Sequence, residues 1–269
     1  MNFFYAIIFG AVQGITEFLP ISSSGHLAVL HDFFHFELAD DLSFDVALHW
    51  GTLLALVIFF WRDIWILTKG FFRWLTNFDL KNNFEARLSW LIVFGTIPAG
   101  VVGYFFGDWL EATFRSTSSI AFMLIVVGLL FFLLEKYSRR EREMGELNWL
   151  DAVVIGIAQS VALIPGVSRS GITIIAGLGR KLKRETAARF SFIMSIPAVL
   201  GAGIKKFHDL SGAGVAIDWG VWIVGVLTAA VVGYFCLKYF LKFLSKHSLQ
   251  VFGWYRIILG LAILIYLLA

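Results

Sequence analysis

Pro20-Ile21-Ser22-Ser23-Ser24-Gly25-His26 and Pro165-Gly166-Val167-Ser168-Arg169-Ser170-Gly171 are the two segments on which the reading of this chain turns. They set hydroxyls, an imidazole and a guanidinium inside stretches otherwise apolar enough to enter a bilayer. Polar backbone and ionisable side chains are costly in hydrocarbon unless they line a protein-enclosed or watery cavity, so each segment marks a functional site. Two such loops predict one shared site.

Working outward, residues 3–30 and 150–179 are each broken near the middle by these proline-, serine- and glycine-containing loops, leaving two half-length helical pieces. Each reads as a re-entrant hairpin, with a proline-kinked full span as the alternative. The hairpins resemble each other at a constant offset, matching Gly10 to Gly156, Gln13 to Gln159, Ser22 to Ser168, Ser24 to Ser170 and Gly25 to Gly171. Six further stretches, 43–61, 86–106, 118–135, 186–207, 219–238 and 250–268, are long enough to cross, since about 20 helical residues span a ~30 Å core. A hairpin returns to the side it entered from. With three crossings between them, the second hairpin enters from the opposite face, and the halves, about 1–145 and 146–269, become inverted repeats within one membrane domain. The predicted fold is an all-α polytopic membrane protein of about six full transmembrane helices and two re-entrant hairpins.

Composition points the same way. Of 269 residues 59% are apolar and only 15% charged, which suits a bilayer rather than a water-exposed globule. The net charge of +3 could suggest an anionic partner, but the basic residues fall between apolar segments, where topology explains them, so nucleic acid is disfavoured. One side of the layout collects Arg62, Lys69, Arg73, Lys81, Arg87, Lys136, Arg139, Arg140, Arg142, Arg180, Lys181, Lys183, Arg184, Arg189, Lys238, Lys242 and Lys246, the other only Arg115, Lys205 and Lys206. The positive-inside rule puts the first side in the cytoplasm. The N-terminus, the first hairpin and the acidic loop with Asp32, Glu37, Asp40 and Asp41 then face outward. Residues 62–78, rich in Trp and Phe, read as interfacial. The first basic residue is Arg62, so the apolar N-terminus has no basic n-region and is not read as a signal peptide. Cys236 cannot form an internal disulfide and reads as a packing residue.

Gln13 and Glu17 are four residues apart and share one helix face toward the serine-rich loop. A carboxylate there suits a general base or metal ligand, with structural pairing to Arg169 as the plainer alternative. A helix beginning at Ser22-Ser23-Ser24-Gly25 would aim free amides and its positive dipole end at an anion, although serine runs also serve as simple N-caps. Arg169 favours the anion, because its fork suits bidentate phosphate binding. His49, beside Trp50, Gly51 and Thr52, reads as a structural histidine near the site. His31, His35, His208 and His247 read as loop or interfacial. No histidine–cysteine pair has zinc spacing.

These residues resemble the bacterial undecaprenyl-diphosphate phosphatase family associated with bacitracin resistance. The resemblance rests on Gln13 to Glu17 (Glu or Gln, three residues, Glu), on Pro20 to His26, on Pro165 to Thr173 (Pro-Gly-x-Ser-Arg-Ser-Gly-x-Thr) and on Phe190-Ser191-Phe192 followed by Pro197. It covers essentially the whole chain and implies removal of the terminal phosphate from a C55 isoprenyl diphosphate carrier, regenerating the monophosphate used in peptidoglycan synthesis. By position it implies Glu17, Ser23, His26 and Arg169 as the catalytic core. Gln13, Ser22, Ser24, Gly25, Gly166, Ser168, Ser170 and Thr173 would bind the diphosphate. A divalent cation, Mg2+ or Ca2+, is expected beside Glu17, and Gln13 weakens the case for a second anionic ligand. The nucleophile stays open between Ser23, slightly favoured, His26 and water, and a homodimer is compatible with the reading. The implied location is the bacterial plasma membrane, with the site toward the outer face.

Two rivals remain. A type 2 phosphatidic acid phosphatase would need a histidine where Ile175 stands, and its upstream Lys and Arg-Pro motif is absent. An isoprenyl-lipid transporter or flippase is allowed by the repeat architecture alone.

Overall fold

A computed structural model describes residues 3–34, 41–80, 82–213 and 218–268. Glu37 and Asp40 of the acidic loop, His35 and Lys81 lie outside the described residues. The described chain is helical: α1 (Phe3–Phe18), α2 (Ser23–Phe34), α3 (Asp41–Phe59), α4 (Trp61–Asn77), α5 (Phe84–Phe114), α6 (Thr117–Tyr137), α7 (Trp149–Val161), α8 (Arg169–Gly179), α9 (Arg184–Ala213), α10 (Trp219–Leu244) and α11 (Gln250–Leu268).

Five helices, α5, α6, α9, α10 and α11, are long and apolar enough to cross a membrane, and α3 with α4 forms a sixth candidate bent by 76°. Several run past the expected bounds. The 31 residues of α5 reach ~46 Å at 1.5 Å per residue, so its ends project beyond a ~30 Å core. The expected interfacial segment is α4. Its bend comes at Phe60, and it exposes Trp61, Trp65, Ile66, Phe72 and Leu75, while only Gly70 is buried, against the start of α5.

Both expected breaks are present, at residues 19–22 between α1 and α2 and 162–168 between α7 and α8. Each hairpin's first arm docks on a long span by close backbone approach. A Cβ at Gly10 would lie 2.5 Å from the Gly225 carbonyl of α10, so only glycine allows the α1–α10 crossing. At the matching position in the second hairpin, Gly156 of α7 meets Gly95 of α5. The spans α6 and α11 pack on each other and close the bundle beside both breaks.

Between the two hairpins an aromatic floor forms from Phe18, Phe192 and Phe240, with successive edge-on ring centroids 5.7 and 6.2 Å apart. At one end of the bundle, buried carboxylates gather several of the basic residues that the charge count used. Glu135 accepts from Arg184 at 2.6 and 2.7 Å, from Arg140 at 3.0 Å and from the Leu249 amide at 3.0 Å. Asp151 accepts from Arg142 at 2.6 and 2.9 Å and from Arg180 at 2.7 Å. Exposed Glu143 pairs with Lys183, whose ammonium holds that carboxyl below its ordinary range.

Candidate active site

The two breaks solve the same backbone problem in the same way. Ser22 has φ 76° and its Oγ accepts from the Gly25 amide at 3.3 Å. Ser168 has φ 73° and its Oγ accepts from the Gly171 amide at 3.2 Å. Positive φ in a non-glycine residue costs roughly 1 kcal/mol or more, so two such caps at matched positions are imposed by their surroundings. Each cap hydroxyl also meets the next-but-one serine, Ser24 at 3.2 Å and Ser170 at 3.3 Å. Ser22 and Ser168 therefore spend hydroxyls on capping, and Gly25 and Gly171 are where the caps close.

The elbows then touch. The Gly166 amide donates to Ser24 Oγ at 3.4 Å, and Ser170 Oγ donates to the Leu19 carbonyl at 3.3 Å. Gly166 is irreplaceable here: its φ is +89°, and a Cβ would stand 2.8 Å from the Ile120 carbonyl.

Glu17, buried on α1, is where the polar side chains converge. Its Oε1 accepts from Arg169 Nη2 at 2.6 Å, and its Oε2 accepts from Ser23 Oγ at 2.7 Å and from Gln13 Nε2 at 3.1 Å. His49 Nε2 lies 3.6 Å from the same Oε2. His49 Nδ1 donates to the Asp45 carbonyl at 2.8 Å, which turns Nε2 toward the carboxylate. Two buried atoms of this cluster, Arg169 Nη1 and Gln13 Oε1, have no hydrogen-bond partner among the described residues. Buried polar atoms are nearly always satisfied, so these mark where a ligand belongs.

His26 is placed differently. Its Nδ1 donates to the Ser22 carbonyl and its Nε2 accepts from the Tyr255 hydroxyl, both at 2.7 Å, and the two rings stack at 5.7 Å. It makes no hydrogen bond to Glu17, Ser23 or Arg169 among the described residues. Thr173 is fully buried and turned to packing: its hydroxyl donates to the Arg169 carbonyl at 2.7 Å and meets Ser191 Oγ at 2.5 Å. His31, expected in a loop or at the interface, sits in α2, pairs with Asp45 at 3.0 Å and packs on Phe9. Cys236 packs against α1, its thiol donating to the Ile15 carbonyl at 3.3 Å.

Sequence reasoning passed over Arg256 and Tyr255, while His49, expected near the site as a hydrogen-bonded histidine, lies there. Arg256 is fully buried, and it is the single charged residue in its span. The rule applied to the elbows, that an intramembrane charge signals function, would have found it.

This arrangement joins an acceptor for a hydroxyl proton, a serine hydroxyl in contact with it and a guanidinium with a free N–H. It can deprotonate a nucleophile and hold a phosphoryl group together. The family model for the bacitracin resistance protein BacA matches residues 6–262. The chain belongs to the BacA family. Among relatives similar to this BacA-family chain, the undecaprenyl-diphosphatase of Rubrobacter xylanophilus is 44% identical over 259 residues, covering 95% of this chain and 94% of that protein. The undecaprenyl-diphosphatase of Paenarthrobacter aurescens is 42% identical over 270 residues, covering 99% and 98%. That of Alteromonas mediterranea is 41% identical over 270 residues and covers both chains completely.

For the expected cation, no three histidine, cysteine or carboxylate side chains converge among the described residues. The oxygens at hand are the Glu17 carboxylate and the unpartnered Gln13 Oε1. Such a pair fits an Mg2+-like ion, which keeps waters and takes most of its other ligands from phosphate oxygens, and does not amount to an all-protein cage.

Proposed function

We propose that this chain is a membrane undecaprenyl-diphosphatase: undecaprenyl diphosphate and water give undecaprenyl monophosphate and inorganic phosphate, recycling the lipid carrier for peptidoglycan synthesis. The observation that carries the reading is the convergence of Ser23 Oγ and Arg169 Nη2 on one buried carboxylate, Glu17.

In the proposed sequence Arg169 binds the terminal phosphoryl group with its free Nη1, and the elbows, one from each repeat half, enclose the diphosphate. Ser23 Oγ attacks the terminal phosphorus as its proton passes to Glu17. The Ser23–phosphorus bond forms and the bridging oxygen–phosphorus bond breaks, with isoprenyl monophosphate leaving on the bridging oxygen. Water then attacks the phosphoserine, freeing phosphate and restoring Ser23. Arg169 stabilises the charge spread over the equatorial oxygens in both steps. His49 faces the same carboxylate, and the Ser22 carbonyl fixes the tautomer of His26, whose Nε2 accepts from Tyr255 at the rim. A Mg2+ or Ca2+ ion, held by the diphosphate with Glu17 and Gln13 Oε1, would neutralise phosphate charge when bound.

An apolar cavity of about 380 Å³, lined by Ala47, Trp50, Phe207, Trp219, Trp222 and Val226, takes its α3 wall from the residues flanking His49 and suits the first isoprene units of the tail. The basic-residue bias supports a plasma-membrane orientation with the pocket toward the outer face. A transporter reading has less support, because a pure carrier has no use for a serine held against a buried carboxylate.

Phosphate release from detergent-solubilised isoprenyl diphosphate tests the reading. The wild type should release phosphate, and Arg169→Ala should abolish turnover in a folded protein. Vesicle-dependent lipid movement without hydrolysis would overturn it.

A further inference from the structure

We infer that Arg256 is a positioning residue for the phosphatase site, holding the two elbows in register so that Glu17 and Ser23 of one meet Arg169 of the other. The inference rests on the diphosphatase reading.

A guanidinium buried at membrane depth is costly unless every donor is used. Arg256 is fully buried, and no carboxylate lies within ion-pair distance of it among the described residues. Its charge is met by carbonyl dipoles instead. Nη1 donates to the Pro20 carbonyl at 3.2 Å, in the first elbow. Nη2 donates to the Gly166 and Val167 carbonyls at 2.9 and 3.0 Å, in the second, and reaches the Met123 carbonyl at 3.4 Å. Nε donates to the Leu124 carbonyl at 3.3 Å. One side chain from α11 thus ties both breaks to α6.

These anchor points adjoin the chemistry. Pro20 lies three residues from both Glu17 and Ser23, and Val167 lies two residues before Arg169. Carbonyls at the breaks have no helical ladder to fix them. Without the fork, the Pro20, Gly166 and Val167 carbonyls lose the donor that joins one elbow to the other, and the 2.6 Å meeting of Arg169 with Glu17 loses that support. Lysine keeps the charge, but its donors all radiate from one nitrogen, so it cannot span the carbonyls that Nε, Nη1 and Nη2 reach from separate positions.

A double-mutant cycle on kcat with a soluble isoprenyl diphosphate tests this, using Arg256→Lys, Arg169→Lys and the double variant, each normalised to monodisperse protein. Arg256→Lys alone should lower kcat about 10- to 100-fold, the cost of misplacing reacting groups by about an ångström, with KM changed less than about threefold. In the Arg169→Lys background, where the second elbow no longer delivers a fork, the same change should cost less than about threefold. Multiplying losses, or an unaffected Arg256→Lys, would overturn the inference. If Arg256→Lys does not fold, Arg256→Gln takes its place; aggregation of both would assign the guanidinium to the fold and overturn it equally. Failure of the wild type to release phosphate would defeat the diphosphatase reading itself, a separate outcome from loss of coupling.

Discussion

Glu17 on α1 accepts a 2.6 Å hydrogen bond from Arg169 at the start of α8, across 152 positions of sequence. The same carboxylate accepts from Ser23 at 2.7 Å, so the pair is a structural tie and the centre of the proposed chemistry at once.

Replacing Glu17 by Gln keeps its shape and removes its charge and basicity. The Ser23 proton then has no acceptor, and kcat should fall about 10²- to 10⁴-fold, the range for loss of a general base. Phosphate release by the purified variant checks this; activity within tenfold of wild type would remove Glu17 from the proton transfer.

The Ser23 route requires a covalent intermediate. Acid quenching during turnover of terminally labelled substrate, followed by peptide mapping, should place phosphate on the peptide containing Ser23, and Ser23→Ala should trap none. Phosphate on His26, or oxygen delivered from water in a single turnover, would reject the serine.

Trp50 separates head-group chemistry from tail binding. Trp50→Ala should raise KM for long-chain isoprenyl diphosphates about tenfold, the scale of a lost aromatic contact, with kcat little changed. A five-carbon isoprenyl diphosphate, too short for the cavity, should show the same KM in both proteins. Equal shifts for both substrates would place the tail elsewhere.

Orientation can be read from outside intact cells. Asp32 is exposed and accepts from Thr117 at 3.0 Å beside the first hairpin. In a Cys236→Ala background, Asp32→Cys should react with a membrane-impermeant maleimide and Arg139→Cys should not. The reverse pattern would invert the topology.

At the opposite end of the bundle, Glu135 joins Arg140, Arg184 and the Leu249 amide. Both arginines keep partial access to water, so Glu135→Gln should cost about 1–3 kcal/mol rather than the larger penalty of a fully buried pair, with kcat preserved in the folded fraction. Thermal unfolding in detergent measures this; an unchanged midpoint would show that the cluster adds nothing.

The elbows were legible because proline, serine and glycine inside apolar stretches leave one economical reading, a backbone that must break where polar groups are wanted. The spans were legible because hydropathy and length share one scale. Their ends were less so, since α5 and α10 continue past the hydrocarbon on residues whose composition does not change abruptly. The bend at Phe60 leaves no proline or glycine to announce it. His49 reaches Glu17 only because α3 lies against α1, a packing outcome and not a spacing. Arg256 was hidden for a different reason: one charge barely lowers the mean of an apolar span, and its partners are main-chain carbonyls, which any residue provides. Thr173 sits within a recognisable motif, yet its hydroxyl serves the contact with Ser191.

The Glu17–Arg169 tie also bears on how a reaction cycle ends. In the proposed cycle, when orthophosphate departs from Arg169 Nη1, the guanidinium is not left bare in an oily interior, because its Nη2 is still held by the Glu17 carboxylate. On that reading Glu17 already offsets part of the Arg169 charge, which loosens the grip on the spent anion and favours its expulsion over rebinding.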